Sequence, residues 1–432
     1  MNARAKRPAP PAPDAADFLI ASRQCELAHL QHFLELGRLI QTIGDLVHGL
    51  QQERGASNVY LGSAGGRFAT ERQGLLRETD GYRQAFDGAL LEARPSLIGH
   101  PVSSPLLNHV ACALHGLSGL PRLRSRVAAC EITAPEATDA YARLIHNLIA
   151  VVFEAADMAV DPSIAGLLVA MVHLMNGKEL CGQERAAGSA GFSSGRFSDA
   201  LSERMVHLAE AQERCFEVFE QFASDDAVAL WRDLRGHERE AQIEHLRRLG
   251  CSVGPYKPLD QALADRWFAL MSERMDALKS VENALEARFH ARCAERYAEA
   301  RHALAHQETL VASLTEGGTP ASPRLALCDP HAEPGQVDAW ASEELAGPFG
   351  RSLLDLVQDQ ARRLQQMTDE LRTAKDALDD RKTQEKAVLL LMKHRNLTND
   401  DAHRLLRKLA MDQGKKLPEV ARAVLAMADV LG

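Results

Sequence analysis

Aromatic residues are scarce in this chain, at 5% of 432 residues, and runs of β-branched residues are few, so the usual material of sheets is missing. The eight cysteines (Cys25, Cys112, Cys130, Cys181, Cys215, Cys251, Cys293, Cys328) form no Cys-x-x-Cys pair and keep no matching histidine spacing. That argues against a zinc site or a disulfide framework and for reduced thiols. No GxSxG, P-loop, HExxH or GxGxxG signature stands in a strand-to-helix context, which sets enzymes and cofactors aside. The most apolar stretch, Ile164 to Met175, is too short to span a bilayer and reads as core helix. The opening MNARAKRPAPPAPDAAD has no signal core, so a cytoplasmic protein with no membrane partner is expected.

What the chain has in quantity is Ala, Leu, Glu, Arg and Gln, a helix-forming composition. Its length exceeds one ordinary core. From Asp17 the apolar residues Leu27, Leu30, Leu34, Ile40, Ile43, Val47 and Leu50 recur at spacings of three and four, as an amphipathic helix requires. Similar patterns follow near 70–93, 104–130, 135–159, 163–187, 196–223, 226–249 and 259–314. An all-α fold with two four-helix bundles over 17–314 is expected, preceded by a tail at 1–16. Gln52-Glu53-Arg54-Gly55-Ala56 with Gly66-Arg67-Phe68 recurs as Gln183-Glu184-Arg185-Ala186-Ala187 with Gly195-Arg196-Phe197. That order points to an internal duplication. Residues 315–350 concentrate Pro and Gly and read as a linker. Beyond it Val357, Leu364, Leu371 and Leu378, with Leu353, Met367 and Ala374, follow a heptad that Gln360 interrupts, so 351–432 begins with a short coiled-coil-like helix. A seam between two subunits and packing within one subunit are equally open.

Charge is unevenly placed. The chain carries a net charge of −9, yet after Leu371 there are thirteen Lys/Arg against nine Asp/Glu, a local surplus that a polyanion would find. In that segment Ala377-Leu378-Asp379-Asp380-Arg381-Lys382, Lys386-Ala387, Leu390-Leu391-Met392, Asn396-Leu397-Thr398, Asp401 to Arg407, Ala410-Met411 and Leu417 to Ala421 follow in order. The pattern resembles an ANTAR domain, although Val388 and Leu389 follow Ala387 where the family has Lys-Gly, and His403 stands at an aromatic position. The resemblance implies a three-helix module that binds paired hairpins of leader mRNA, not DNA, and prevents a terminator from forming. By position its candidate RNA contacts are Arg381, Lys382, Lys386, Lys393, Arg395, Arg404, Arg407 and Lys408. The competing reading is that these helices only mediate protein association.

Three further stretches, Leu50 to Ser57, Lys178-Glu179 with Gly182 to Ala186, and Trp267-Phe268 with Ser272 to Asp276 and Val281-Glu282, resemble the NIT domain, a helical sensor of nitrate and nitrite. Guanidinium forks suit a planar monoanion, because they donate in its plane and neutralise its charge. The resemblance places the anion on Arg54 of the first helix and Arg274 of the last, with Arg185 as a third candidate. The alternative is that each arginine pairs with a nearby carboxylate such as Glu53, Glu184 or Asp276. The expected whole is a nitrate- or nitrite-responsive antitermination regulator, a homodimer, in which anion binding in the sensor frees the C-terminal domain.

Overall fold

The computed structural model describes residues 15–99, 104–252, 258–316, 348–395, 397 and 399–431. The expected tail at 1–16 and linker at 315–350 fall almost wholly outside them. Among the described residues every regular element is a helix, as the composition requires. The order is α1 (Ala15–Gly62), α2 (Ala69–Gly99), α3 (Ser104–Ser118), α4 (Leu120–Ala128), α5 (Ala134–Met158), α6 (Pro162–Ser194) and α7 (Asp199–Phe222). Then come α8 (Asp225–Gly236), α9 (Glu238–Ser252), α10 (Leu263–Glu316), α11 (Pro348–Arg395), α12 (Asn399–Gln413) and α13 (Leu417–Leu431).

Local chemistry sets several boundaries. Thr133 and Glu136 form a reciprocal capping box at the start of α5. Asp161 accepts from the Ser163 and Ile164 amides with Pro162 at the first helical position of α6, so both usual N-terminal signals coincide. Gly195 ends α6 at φ 67°, a left-handed cap that costs glycine little. The patterns read as single helices over 104–130 and 226–249 are each broken once. Gly119 with Pro121 restarts the first as α4, and His237 leaves helical backbone between α8 and α9. Periodicity alone passes over such one-residue breaks.

One compact unit gathers residues 1–34 and 291–369. Its described side chains converge on Glu26 of α1, which accepts from Arg23 at 3.0 Å and from Arg363 of α11 at 2.6 Å, with Arg296 of α10 3.7 Å away. Of the heptad residues in this unit, Leu364 is 51% exposed, whereas Leu353, Val357 and Gln360 lie outside the residues whose side chains are described.

The other unit comprises residues 35–290 and 370–432. Its axis is α6, which is long and apolar enough to cross a membrane yet is mostly buried inside the protein; it is a core helix. The C-terminal helices form their own core from Ala387, Val388 and Leu391 of α11, Ala402, Leu406 and Ala410 of α12, and Val420 and Ala421 of α13. Val388, one of the two departures from the family pattern, is therefore a core residue, while Leu389 beside it is 63% exposed.

A second feature of this unit joins two residues of the sequence motifs, Lys178 and Glu282, in a buried ion-pair network. Lys178 of α6 donates to Glu282 of α10 at 2.5 Å, and Lys279 reaches Asp45, Glu282 and Glu286 at 2.9, 2.9 and 3.4 Å. Gly44 of α1 makes room: a Cβ there would lie 2.5 Å from Glu286 Oε1 and 2.7 Å from Glu282 Oε1. Three carboxylates meet two ammoniums, and burial, reinforced by Glu282, pushes the Glu286 carboxyl up to about 8. Unfolded, the same carboxyl titrates near ~4.3. The folded state thus holds an extra proton between those values, and the stability this gives is full at the acidic end and lost as pH rises toward 8. Glu286→Gln is expected to flatten the fall in melting temperature between pH 5 and 8, as scanning calorimetry would read; an unchanged slope would locate the proton elsewhere.

Candidate anion site and candidate RNA-binding face

The two copies of the repeated motif meet where α1 crosses α6. Arg54 projects over Gly182 and Arg185 over Gly55; a Cβ at either glycine would stand 2.3 Å from the opposing guanidinium. Each helix therefore lends an arginine to a gap that only a glycine on the other leaves open. Both arginines are buried, Arg54 fully so. Arg54 donates to both Glu179 oxygens, at 2.5 and 3.1 Å, a bidentate fork. Glu179 also accepts from Gln51 and Gln183, each at 3.0 Å. The Arg54 Nε has no partner among the described residues.

Arg185 is placed differently. It donates to Ser272 Oγ at 2.9 Å and to the Gln51 carbonyl at 2.8 Å, both neutral acceptors, and stacks 4.9 Å from the Phe268 ring centre. Burial and the neighbouring Arg54 charge pull its pKa down to about 10 against the opposing pull of Asp276 and Glu179. Asp276 and Glu179 act on Arg185 through space, while its hydrogen bonds go to neutral groups.

The carboxylates adjacent to these arginines in sequence serve other cations. Glu53 takes a bidentate bond from Arg124 of α4 at 2.8 and 2.7 Å and the Tyr141 hydroxyl of α5 at 2.5 Å. Glu184 takes Arg247 of α9 at 2.6 and 3.1 Å and the Gln212 amide of α7 at 2.8 Å. The repeat is thus functional in pairs: in each copy the glutamate anchors an arginine of a later helix, and the arginine turns to the other copy. The pairing of Arg54 with Glu53 or Arg185 with Glu184 does not occur, because successive helical side chains face about 100° apart.

Arg274 of α10 belongs to a neighbouring cluster. It lies 3.1 Å from Glu240 and donates to Gln212 at 3.1 Å. Its bonds join α10 to α9 and α7, whereas Arg54 and Arg185 face each other directly. Asp276, the other carboxylate considered for pairing, instead accepts from Gln52 at 3.3 Å.

The eight candidate RNA contacts separate into two groups. Arg381 donates to Asn176 of α6 at 2.7 Å, Lys382 to Asp157 of α5 at 2.9 Å, and Arg407 lies 3.3 Å from Glu210 of α7. Arg404 stands 3.4 Å from Glu203 of α7 and 3.6 Å from Asp401 of its own helix. Lys386, Lys393, Arg395 and Lys408 are exposed. Where α12 meets α7, His207 and His403 are ring neighbours at 6.0 Å, and burial together with Arg407 lowers His207 to about 3, so His207 is uncharged near neutrality. Half of the cationic set is therefore held against sensor helices, three of the four by carboxylates, the groups nearest in chemistry to the phosphates of RNA.

An all-helical core in which two buried guanidiniums are exchanged across a helix crossing, joined to a small basic three-helix module, defines a ligand-sensing regulator with a polyanion-directed output. Comparison with known proteins gives that class its family. Residues 45–290 match the family described as nitrate and nitrite sensing (NIT), and residues 372–425 match the ANTAR domain. The chain belongs to the NIT family and carries an ANTAR domain; it is a regulator, not an enzyme. It is 35% identical over 416 residues to the nitrate regulatory protein of Klebsiella oxytoca, covering 96% of each chain. Among solved structures it is similar to the NasR transcription antiterminator, with 33% identity, a TM-score of 0.60, and coverage of 97% of this chain and 100% of that one.

Proposed function

We propose that this nitrate-responsive antitermination regulator works by release. Nitrate or nitrite binds in the sensor core among Arg54, Arg185 and Arg274, and the change in packing frees the ANTAR domain to bind paired leader-RNA hairpins and keep a terminator from forming. The sensor spans 17–314, a linker 315–350 and the output segment 351–432, and the protein works in the cytoplasm as a homodimer. The observation that carries this reading is the occupation of Arg381, Lys382, Arg404 and Arg407 by sensor side chains. While those contacts stand, the same side chains are withheld from phosphate.

A gel shift with the leader RNA of the protein's own operon, with and without nitrate, tests it. Nitrate should tighten RNA binding at least tenfold; equal binding in both conditions, or none at low salt, overturns the RNA reading in favour of protein association. Calorimetry locates the ligand. Nitrate binding is expected to be lost in Arg54→Ala and in Arg274→Ala, and a variant that keeps wild-type affinity removes its arginine from the pocket.

A further inference from the structure

Glu179 is the one carboxylate seated on the facing arginine pair, and its shape matches what the pair is expected to sense. A carboxylate and a nitrate are both planar monoanions that present two oxygens to a guanidinium fork in its own plane. Glu179 fills that fork on Arg54 at 2.5 and 3.1 Å. Arg185, alongside, hydrogen-bonds the neutral Ser272 and Gln51 and feels Asp276 and Glu179 only through space among the described residues, and Arg54 Nε is buried with no partner among them. Arg54 has no exposed side-chain surface, whereas the Glu179 side chain is 10% exposed. The carboxylate therefore sits at the edge of the core, held by two glutamine amides that need not move with it.

We propose that Glu179 is a built-in competitor for the sensed anion, occupying the Arg54 fork until a planar monoanion replaces it between Arg54 and Arg185. The proposal rests on the sensor reading above and adds to it an exchange. The charge on the Arg54 fork is the same before and after, so a buried guanidinium is never left bare. The incoming anion gains contact with two cations where Glu179 serves one. Because Glu179 lies on α6 next to Lys178, whose ammonium holds Glu282 of α10, its departure acts on the helix that carries Asn176, the partner of Arg381. Exchange at the fork and release of the output module are in this way linked through one helix.

Titration calorimetry on the full chain with sodium nitrate at constant ionic strength tests the exchange. Glu179→Gln keeps the size and removes the charge that competes, and is expected to bind nitrate at least tenfold more tightly than wild type. Glu179→Asp, which retains the charge but draws it one methylene back from the fork, should tighten binding to a lesser degree. Arg185→Gln should weaken binding at least tenfold. Nitrate-dependent rises in melting temperature supply a second readout, larger in Glu179→Gln than in wild type even if that variant is destabilised without nitrate. Nitrate affinity in Glu179→Gln equal to or weaker than wild type overturns the competitor; failure of the wild type to bind nitrate or nitrite at all overturns the sensor reading instead.

Discussion

Replacing Asp157 and Glu210 together by lysine is expected to give a protein that binds its leader RNA whether or not nitrate is present. Both carboxylates lie on sensor helices with partly exposed side chains, 41% and 54%, so the exchange leaves the sensor core intact. Each holds a cation of the output module, Lys382 at 2.9 Å and Arg407 at 3.3 Å. An exposed pair of this kind contributes roughly 0.2–1 kcal/mol, and reversing its sign replaces attraction by a repulsion of similar size. Two reversals shift the docked-to-free balance by about 2 kcal/mol, or roughly thirtyfold. The measurement is the ratio of RNA affinities with and without nitrate, which should collapse toward one because the affinity without nitrate rises. A ratio unchanged from wild type would mean that these contacts do not restrain the output module.

Glu282→Ala is expected to be the most destabilising single substitution in the sensor. Lys178 has no exposed side-chain surface and its hydrogen bond goes to Glu282, so truncation strands a buried ammonium. Breaking a buried pair from one side costs about 3–5 kcal/mol, a fall in melting temperature on the order of 10 °C for a domain of this size. Its pH dependence identifies the cause. Burial already lowers the Lys178 pKa, with Glu282 as the main opposing influence. Without Glu282 the folded protein therefore gives up this proton at a pH where the unfolded chain still holds it. Where the unfolded state binds more protons, stability rises with pH, so the deficit should narrow as pH rises above neutrality. A deficit independent of pH would point to lost packing instead of a stranded charge.

The sequence made the helices, the basic output module and the repeated motif legible, because each is written in local spacing or order. Arg54, Arg185 and Arg274 stood out by motif and are all buried. Their partners were not legible: Glu179 lies 125 residues from Arg54, and only the crossing of α1 and α6 brings the two together. The carboxylates next in sequence were the natural guess and are engaged elsewhere, since neighbouring helical positions point apart. Gly55 next to Arg54, and Gly182 three residues before Arg185, are what the two helices need in order to pass a guanidinium between them, and sequence order does not say which arginine each glycine admits. Lys178 and Glu282 stood in the motifs, but their pairing with each other and with Lys279 and Glu286 was not legible, because charged residues on a helix read as solvated until a second helix is known to cover them.

The arginines exchanged between the two copies of the repeat hold matching places in it, but the glycines that admit them do not. Gly55 follows Arg54 directly, whereas Gly182 precedes Arg185 by three positions and Ala186 stands where Gly55 would. The crossing is therefore not the self-complementary contact of an isologous pair, and its two sides differ chemically. Arg54 has a bidentate carboxylate, and Arg185 hydrogen-bonds the neutral Ser272 and Gln51. An arriving ion meets two unlike guanidiniums, which gives the crossing a direction that two equivalent sides would lack.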